Sequence, residues 1–282
     1  MLIIHHNTFK TSFYCVKMET GLNGRVAIIT GGASGIGKSI VEKLSDEGVI
    51  PIFVDKNKEK GDSLSEKLSE KRMQHLFLFY DLTNDSLCEE AILETIRKYG
   101  RLDILINNAG INDRCDIDTT SPNDFRRSLD VNLVHYYAMT HFAWPYLKQS
   151  RGNILFIGSK VSLVGEGKTT AYAAAKGAIN GMTRELATKS VNENLGIRVN
   201  CLLPGIVRTP LCEEYMISTY GDLEKGSNEF GKSVPLNHRL TTSEEIANSA
   251  IFLVSDLASH MTGQLLVNDG GYCHIDRRAT EK

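Results

Sequence analysis

The chain has 282 residues, of which 41% are hydrophobic and 23% charged, and these proportions are typical of a globular protein rather than a disordered one. Its net charge of −2 comes from mixed charges without a basic block, which argues against nucleic acid or an anionic membrane as a partner. No apolar run reaches the ~18 to 20 residues that a membrane-spanning helix needs. The six cysteines are scattered and indicate reduced thiols in a cytoplasmic protein, whose partners we expect to be small molecules or copies of itself.

Residues 1–17 show no helical or strand periodicity, and their apolar part is too short for a signal peptide. We interpret them as a non-structural N-terminal extension and expect Met18 to be the native start. The remaining residues, 18–282, contain no repeat and no linker rich in proline, glycine or serine, which favours a single domain.

From Arg25 onward, short apolar runs alternate with helical patterns. The runs are nearly continuous rather than alternating, as in strands of a parallel sheet that is covered by helices on both faces. This pattern predicts an α/β fold: a Rossmann-type doubly wound sheet of seven mainly parallel strands in a single domain. The predicted strands are 26–29, 52–54, 76–80, 104–106, 154–157, 199–203 and 265–267.

Two segments fit this pattern less well. Pro51 stands at the start of the second predicted strand, where a proline is tolerated at the first residue but not in the middle. The stretch 209–240 has no clear pattern, and a long irregular insertion in a compact domain is usually a lid or a binding loop. We expect it to be the substrate loop.

A glycine-rich run follows the first predicted strand and leads into a helical pattern. Glycines in such a turn let a pyrophosphate approach the backbone, and the helix N-terminus offers unpaired N–H groups to its phosphates. The strand-loop-helix context therefore predicts a dinucleotide site. The run comprises Thr30, Gly31, Gly32, Ala33, Ser34, Gly35, Ile36 and Gly37.

Asp55 ends the second predicted strand. A carboxylate there can accept hydrogen bonds from both ribose hydroxyls of NAD, and it would repel the additional phosphate of NADP. Neither Ala33 nor Ser34 offers a basic side chain to that phosphate. We expect NAD rather than NADP as the cofactor.

Tyr172 and Lys176 are four residues apart, a spacing that places both side chains on one face of a helix. A free tyrosine titrates near pH ~10 and is a poor base at neutral pH unless a cation stabilises the phenolate. Lys176 can be that cation, but pairs of this kind also decorate ordinary helix surfaces. The spacing alone leaves both interpretations open.

A series of motifs resembles that of the classical short-chain dehydrogenases/reductases. The resemblance covers about residues 22–273, and the occurrence of these motifs in this order is very specific. Gly158 and Ala175 depart from the family pattern, since a serine is common at each position. The motifs are residues 30–37, Asp81-Leu82, Asn107-Asn108-Ala109-Gly110, Asn132, Ser159, Tyr172, Lys176 and Pro204-Gly205.

The resemblance implies four catalytic residues. Tyr172 would be the acid/base, and Ser159 would orient the substrate oxygen. Lys176 would bind the nicotinamide ribose and lower the pKa of Tyr172. Asn132 would anchor a water that starts a proton relay to solvent.

The resemblance also implies a set of cofactor-binding residues. Asp81 would meet the adenine amino group, Asn108 would line the cofactor, and Ile206 with Thr209 would hold the nicotinamide amide. No metal is implied, and the eight histidines lack metal spacing. The implied cofactor residues are Gly31, Ser34, Gly35, Ile36, Gly37, Asp55, Asp81, Leu82, Asn108, Ala109, Gly110, Tyr172, Lys176, Pro204, Gly205, Ile206 and Thr209.

Several local sequences are similar to those of the L-fucose dehydrogenases within this family, which oxidise the anomeric hydroxyl of a sugar to a lactone. Asn112, Lys160 and Glu166 supply polar groups near the catalytic loops, where a polyol needs them, although they can also be solvated loop residues. We therefore expect oxidation of the C1 hydroxyl of an aldose such as L-fucose. The similar segments are 108–113, 132–137, 158–160, 165–167, 241–245 and 270–276.

Two alternative functions remain open. One is a reductase of 3-oxoacyl thioesters or of other ketones such as steroids. A bulky apolar lid would favour this alternative, but the segment 209–240 is rich in polar residues. The other is a non-catalytic nucleotide-binding regulator, which a degraded Ser-Tyr-Lys set would indicate. By resemblance we also expect a homotetramer built from helices around 124–148 and 172–191 and from the C-terminal strand, with residues 272–278 reaching a neighbouring subunit.

Overall fold

A computed structural model describes residues 18–276 of the chain. The predicted extension 1–17 and the last residues of the tail lie outside the described residues. The described strands are β1 (Val26–Thr30), β2 (Ile50–Asp55), β3 (Leu76–Phe79), β4 (Ile104–Asn107), β5 (Asn153–Ile157), β6 (Arg198–Pro204), β7 (Val207–Arg208), β8 (Thr241–Thr242) and β9 (Leu265–Asn268).

The helices connect successive strands and cover the sheet. Pro122 begins α4, where Ser121 and Asp124 form a capping box, as this residue order favours. The described helices are α1 (Gly35–Asp46), α2 (Lys58–Glu70), α3 (Asp85–Tyr99), α4 (Pro122–Leu129), α5 (His135–Ser150), α6 (Thr170–Asn192), α7 (Pro210–Tyr220), α8 (Leu223–Gly231) and α9 (Ser243–Val254).

Seven strands form one sheet in the order β3-β2-β1-β4-β5-β6-β9, and every neighbouring pair is parallel. This confirms the predicted Rossmann-type sheet in a single domain. The strand order reverses between β1 and β4, and such a switch point opens a crevice at the carboxyl ends of the strands. The short strands β7 and β8 form a separate two-stranded sheet.

Two hydrophobic clusters pack against the two faces of the sheet. In β1, Ala27 and Ile29 belong to one cluster, whereas Val26 and Ile28 belong to the other. All of these side chains are at most 2% exposed. A strand buried on both faces needs apolar residues at every position, which explains why continuous apolar runs in the sequence predicted the strands.

Pro51 is the second residue of β2, one position later than predicted. The N–H of Ile50 points towards β1, where it donates to Arg25 O, so the nitrogen of Pro51 points towards β3. The pairing of β2 with β3 begins only at Ile52. The proline therefore removes no hydrogen bond from the sheet.

The segment 209–240 is not an irregular loop over most of its length, because it contains α7 and α8. Thr209 caps α7 by accepting a hydrogen bond from the Cys212 N–H at 3.2 Å, and Pro210 occupies the first helical position. The role of this segment as a substrate lid stays a prediction. No described helix is long and apolar enough to cross a membrane.

A turn of π-helix, called the π-turn below, joins α4 and α5 into one continuous helical run. It covers Asp130–Val134 and lies between Leu129, the last residue of α4, and His135, the first residue of α5. π-Turns inside α-helices occur frequently at functional sites. This one contains Asn132, one of the predicted catalytic residues.

Candidate active site

A cleft of about 560 Å³ opens at the carboxyl ends of the parallel strands. Of the residues predicted from the sequence, Gly37 and Asn132 do not line it. Those that do are Gly31, Ser34, Gly35, Ile36, Asp55, Asp81, Leu82, Asn108, Ala109, Gly110, Asn112, Ser159, Lys160, Glu166, Tyr172, Lys176, Pro204, Gly205, Ile206 and Thr209.

The glycine-rich loop leaves no room for side chains at two of its positions. A Cβ on Gly31, whose φ is +64°, would lie 2.9 Å from the Cα of Ala109. A Cβ on Gly37 would lie 2.0 Å from the carbonyl oxygen of Gly31. Gly37 therefore lets α1 approach the loop, and the N-terminus of α1 faces the cleft as a phosphate site requires.

Asn108 ties the end of β4 to the glycine-rich loop. Its side-chain amide donates to Thr30 O at 3.0 Å and to Gly31 O at 3.1 Å, and its backbone N–H donates to the Thr30 hydroxyl at 2.9 Å. The Thr30 hydroxyl also accepts from the Ala109 N–H. These bonds fix the two strand ends between which a ligand of the cleft would lie.

Two carboxylates are held at the side of the cleft that the sequence assigned to adenosine. Asp55 accepts hydrogen bonds from the N–H groups of Ala33, at 3.0 Å, and Asn57, at 2.9 Å. Asp81 accepts from the backbone N–H and the hydroxyl of Thr83, and these bonds hold the pKa of Asp81 below its usual range. Both carboxylates have fixed orientations before any ligand binds.

Tyr172 lies in the first turn of α6, and Ser159 follows β5, so a helix and a strand position the pair. Burial raises the pKa of Tyr172 to about 12, whereas its hydrogen bond with Ser159 acts in the opposite direction. In the protein alone Tyr172 is thus a neutral phenol at physiological pH. It can donate a proton, and it becomes a base only when further positive charge is brought close.

Lys176 is 3% exposed, so the Tyr172–Lys176 pair is not an ordinary pair on an exposed helix surface. Its ammonium donates to Ile157 O at 2.9 Å and to the Tyr136 hydroxyl at 3.1 Å. It lies 5.6 Å from the centroid of the Tyr172 ring. Burial lowers the pKa of Lys176 to about 8. The cation therefore lies beside the tyrosine ring and is held by other partners.

Asn132 is fully buried beneath the cleft. Its side-chain oxygen accepts from the Ile111 N–H at 2.9 Å, and its side-chain amide donates to Ser128 O at 3.1 Å. The side chain thus fixes the loop after β4 against the π-turn. Its predicted part in a water relay stays a prediction.

The three predicted substrate residues differ in their surroundings. Lys160 is buried, its ammonium lies 2.5 Å from a carboxylate oxygen of Glu166, and it also lies 4.0 Å from the centroid of the Tyr272 ring. The side-chain oxygen of Asn112 accepts from the Arg114 N–H at 3.2 Å. Lys160, which is buried, and Glu166, which is exposed, therefore form an ion pair at the cleft, whereas Asn112 shapes a turn in its wall.

Sequence reasoning missed two residues that line this cleft, Arg114 and Tyr215, and one buried residue, Tyr136, that holds Lys176. The Tyr136 hydroxyl, which accepts from Lys176, donates to Ile157 O, but a buried aromatic residue in a helix looks like any core residue. The guanidinium carbon of Arg114 lies 3.0 Å from the centroid of the Tyr215 ring, across the mouth of the cleft. No local signal relates residues from two separate segments.

These residues fit a nicotinamide dinucleotide. The glycine-rich loop at the α1 N-terminus suits a pyrophosphate, Asp55 suits ribose hydroxyls, and Lys176 lies next to the candidate acid/base. Among residues 18–276 there is no cluster of three or more side chains that could hold a metal ion.

The fold and the cleft together define an oxidoreductase that acts on CH–OH groups with a nicotinamide cofactor. A family model described as enoyl-(acyl carrier protein) reductase matches residues 31–273. The chain belongs to the short-chain dehydrogenase/reductase family, as its motifs predicted. Membership in this family of enzymes argues against the non-catalytic regulator.

Several relatives are similar over nearly the whole chain. The chain is 37% identical to L-fucose dehydrogenase of Bos taurus, over 94% of this chain and 95% of the relative, and 36% identical to that of Mus musculus, over 93% of each. It is also 35% identical to 3-oxoacyl-(acyl-carrier-protein) reductase of Thermotoga maritima, over 89% of this chain and 98% of the relative.

Two solved structures resemble the whole fold. The crystal structure of Cj0485 dehydrogenase has a TM-score of 0.87 and 41% sequence identity, and the match covers 94% of this chain and 100% of that one. The ligand-free structure of aldohexose dehydrogenase from Thermoplasma acidophilum has a TM-score of 0.83 and 30% identity, with coverage of 92% and 98%.

Proposed function

We propose that this protein is an NAD-dependent dehydrogenase that oxidises the C1 hydroxyl of an aldose such as L-fucose to the lactone. The observation that carries the proposal is the ion pair of Lys160 and Glu166, which lines the cleft beside Ser159. A sugar offers several hydroxyls and needs charged or polar partners for them. The similarity to L-fucose dehydrogenases and to an aldohexose dehydrogenase supports this substrate class.

The reaction breaks the C1–H bond and the O–H bond of the sugar and forms a C=O bond. When bound, oxidised nicotinamide supplies the hydride acceptor and a positive charge. Tyr172 takes the hydroxyl proton, and Ser159 donates a hydrogen bond to the C1 oxygen. Because burial holds the pKa of Tyr172 at about 12 in the protein alone, Tyr172 acts as a base only in the complete complex.

Lys176 has two roles in this proposal. It adds positive charge beside the Tyr172 ring, and it passes the proton onward towards the relay that includes Asn132. The pKa of about 8 suits a group that holds its proton at neutral pH and can release it. Its hydrogen bonds to Ile157 O and the Tyr136 hydroxyl hold the ammonium in place.

The proposed preference for NAD rests on Asp55. Its carboxylate is fixed at the end of β2 by hydrogen bonds from the Ala33 and Asn57 N–H groups. A fixed negative charge there accepts from ribose hydroxyls and repels a ribose phosphate. Lys56 also lines the cleft and opposes this effect in part.

The proposed assembly is a homotetramer in the cytoplasm. Apolar side chains on α5 and α6 are exposed in the single chain, among them Tyr137, at 61%, and Val191, at 66%. Exposed apolar side chains on the predicted contact helices support burial between subunits. The thiol pattern of the sequence supports a reducing compartment.

A substrate panel tests the reaction. Aldoses, including L-fucose, are offered with NAD and with NADP, and a 3-oxoacyl thioester and a steroid ketone are offered with NADH and NADPH, while nicotinamide absorbance is followed. We expect NADH formation with an aldose, and the lactone is identified by mass spectrometry. Turnover of the thioester or steroid alone would overturn the sugar proposal and favour the ketone reductase, which the Thermotoga maritima relative supports.

A further inference from the structure

A second cavity, of about 320 Å³, lies at the amino ends of the central strands, at the edge of the sheet opposite the cleft. Arg25 precedes β1, Arg198 begins β6, and Arg151 follows α5. We call this the arginine cavity. It is defined by Arg25, Arg101, Arg151, Arg198, Asp103 and Asp256.

The charges of the arginine cavity do not balance. The Asp103 carboxylate receives two hydrogen bonds from the Arg101 guanidinium, at 2.7 and 2.9 Å, and Asp256 pairs with Arg25 at 2.6 Å. Each carboxylate is thus matched by one arginine. Two further arginines face the same cavity without a carboxylate of their own, so the cavity carries excess positive charge.

Arg198 is one of these two, and it is held by backbone oxygens. It donates to Leu253 O at 2.8 Å, Ser255 O at 3.1 Å and Met261 O at 3.3 Å. The bonds to Leu253 O and Ser255 O satisfy carbonyls at the C-terminal end of α9, whose partial negative charge would otherwise repel an anion. Burial lowers the pKa of Arg198, a sign that its charge is poorly solvated.

Arg151 is the other, and its side chain has no hydrogen-bond or ion-pair partner among residues 18–276. It caps α5 in the left-handed region, with φ of +50°. Its side chain lies close to the backbone of Gly196, since a Cβ on Gly196 would lie 3.3 Å from Cγ and Cδ of Arg151. The stem is therefore packed on the backbone, and the guanidinium keeps its donors for a ligand.

Asn153 lines the same cavity. It is 3% exposed, its side-chain amide donates to Val254 O at 3.1 Å, and its side-chain oxygen is buried without a partner. A buried oxygen of this kind is costly unless a donor reaches it.

We propose that the arginine cavity binds a phosphate group, as inorganic phosphate or as a small phosphate monoester. Guanidinium groups present forked N–H donors that match phosphate oxygens, and excess positive charge in a recess attracts an anion. The site does not depend on the proposed sugar oxidation. It lies at the opposite ends of the strands from the cleft.

Calorimetric titration and thermal unfolding test this site. Inorganic phosphate, glycerol 3-phosphate and, at matched ionic strength, chloride are compared on the full chain. The cleft is kept saturated with NADH or NADPH, whichever binds more tightly, because its glycine-rich loop also offers N–H groups to phosphates. We expect phosphate to bind and to raise the melting temperature above the chloride control. Tighter binding of glycerol 3-phosphate would assign the site to a monoester, and equal or weaker binding to inorganic phosphate.

Arg151→Gln should weaken phosphate binding by about 10-fold, and Arg151→Glu should abolish it, because the loss of one charge-assisted contact has this scale. Arg72→Gln is the matched control, since Arg72 is also exposed with a left-handed φ of +56° and lies outside the cavity. Phosphate binding no stronger than chloride, or equal weakening by Arg72→Gln and Arg151→Gln, would overturn the proposal.

Discussion

The two halves of the cleft are built from different parts of the chain. The cofactor half is shaped by backbone, because Gly31 and Gly37 have no space for a Cβ. The substrate half is shaped by side-chain pairs from separate segments, such as Arg114 with Tyr215 and Lys160 with Glu166. The first half therefore tolerates no added atom at these two positions. The second can change its chemistry without disturbing the sheet.

Tyr172 stands where the two halves meet, and its replacement should have the largest effect. Tyr172→Phe keeps the ring and removes the proton acceptor, so kcat should fall by about 10²-fold or more. Cofactor affinity, measured by fluorescence titration, should be nearly unchanged. Tyr99→Phe, which removes a hydroxyl that donates to His75 O away from the cleft, is the control and should keep full activity. A Tyr172→Phe variant with near-normal kcat would rule out the acid/base role.

Gly37→Ala tests the backbone-built half. The new Cβ would lie 2.0 Å from Gly31 O, and a backbone atom cannot move aside cheaply. We expect cofactor affinity to fall by about 10-fold or more, because overpacking of this kind costs ~1–3 kcal/mol. Gly181→Ala, on an open face of α6 with nothing within 4 Å, should keep normal affinity. Equal affinities of the two variants would show that close packing does not define this half.

Asp55→Asn tests the charge of the same half while keeping its shape. An amide oxygen can still accept from the Ala33 N–H, but it no longer repels a phosphate. The ratio of kcat/KM for NAD to that for NADP should therefore fall by about 10-fold, the scale of one charged contact. Asp62→Asn, at an exposed site on α2, is the control. An unchanged ratio would contradict the assignment of cofactor preference to Asp55.

Glu166→Gln tests the half built from side chains. The substitution removes the Glu166 carboxylate and leaves the Lys160 ammonium without a carboxylate partner. KM for the preferred sugar should therefore rise by about 3- to 10-fold with little change in kcat. Selectivity among aldoses should fall as well. Glu214→Gln, at an exposed position of α7, should change neither value. Equal selectivity of the Glu166→Gln and parent enzymes would remove this pair from sugar recognition.

The pH dependence of stability should show the smallest effect, and it comes from His135 in the cleft wall. Burial lowers the pKa of His135 to about 4, from an ordinary value of 6.5. Between these values the unfolded chain binds a proton that the folded protein does not, so stability should fall as pH falls from 6.5 to 4. We expect the melting temperature of the parent, measured without ligands, to fall more steeply with falling pH than that of His135→Asn. Equal slopes for the two proteins would contradict this assignment.

The sheet was predictable because its strands are buried on both faces and therefore apolar throughout. The helices α7 and α8 were not, because α8 contains two glycines, Gly226 and Gly231, that resemble loop residues and obscure the pattern of the segment. Gly226 lies in α8 where a Cβ would be 2.6 Å from Cβ of Met216, so the glycine allows close helix contact rather than a turn. This reason becomes visible only when both helices are in place.

The candidate site shows the same limit. The spacing of Tyr172 and Lys176 predicted a shared helix face, and the pair indeed lines one cleft. The partners that hold the Lys176 ammonium, Ile157 O and the Tyr136 hydroxyl, come from β5 and α5. Long-range contacts of this kind leave no trace in local spacing.

The π-turn between α4 and α5 has a consequence for how this chain can vary over evolution. Its wide turn accommodates one residue more than an α-helical turn would. Removing one residue from Asp130–Val134 would restore a regular helix without turning α4 against α5, but it would move the residues inside the turn, Asn132 among them. Asn132 would then no longer meet the Ile111 N–H. Homologous chains can therefore exchange residues here, but a single insertion or deletion would separate the loop after β4 from its anchor.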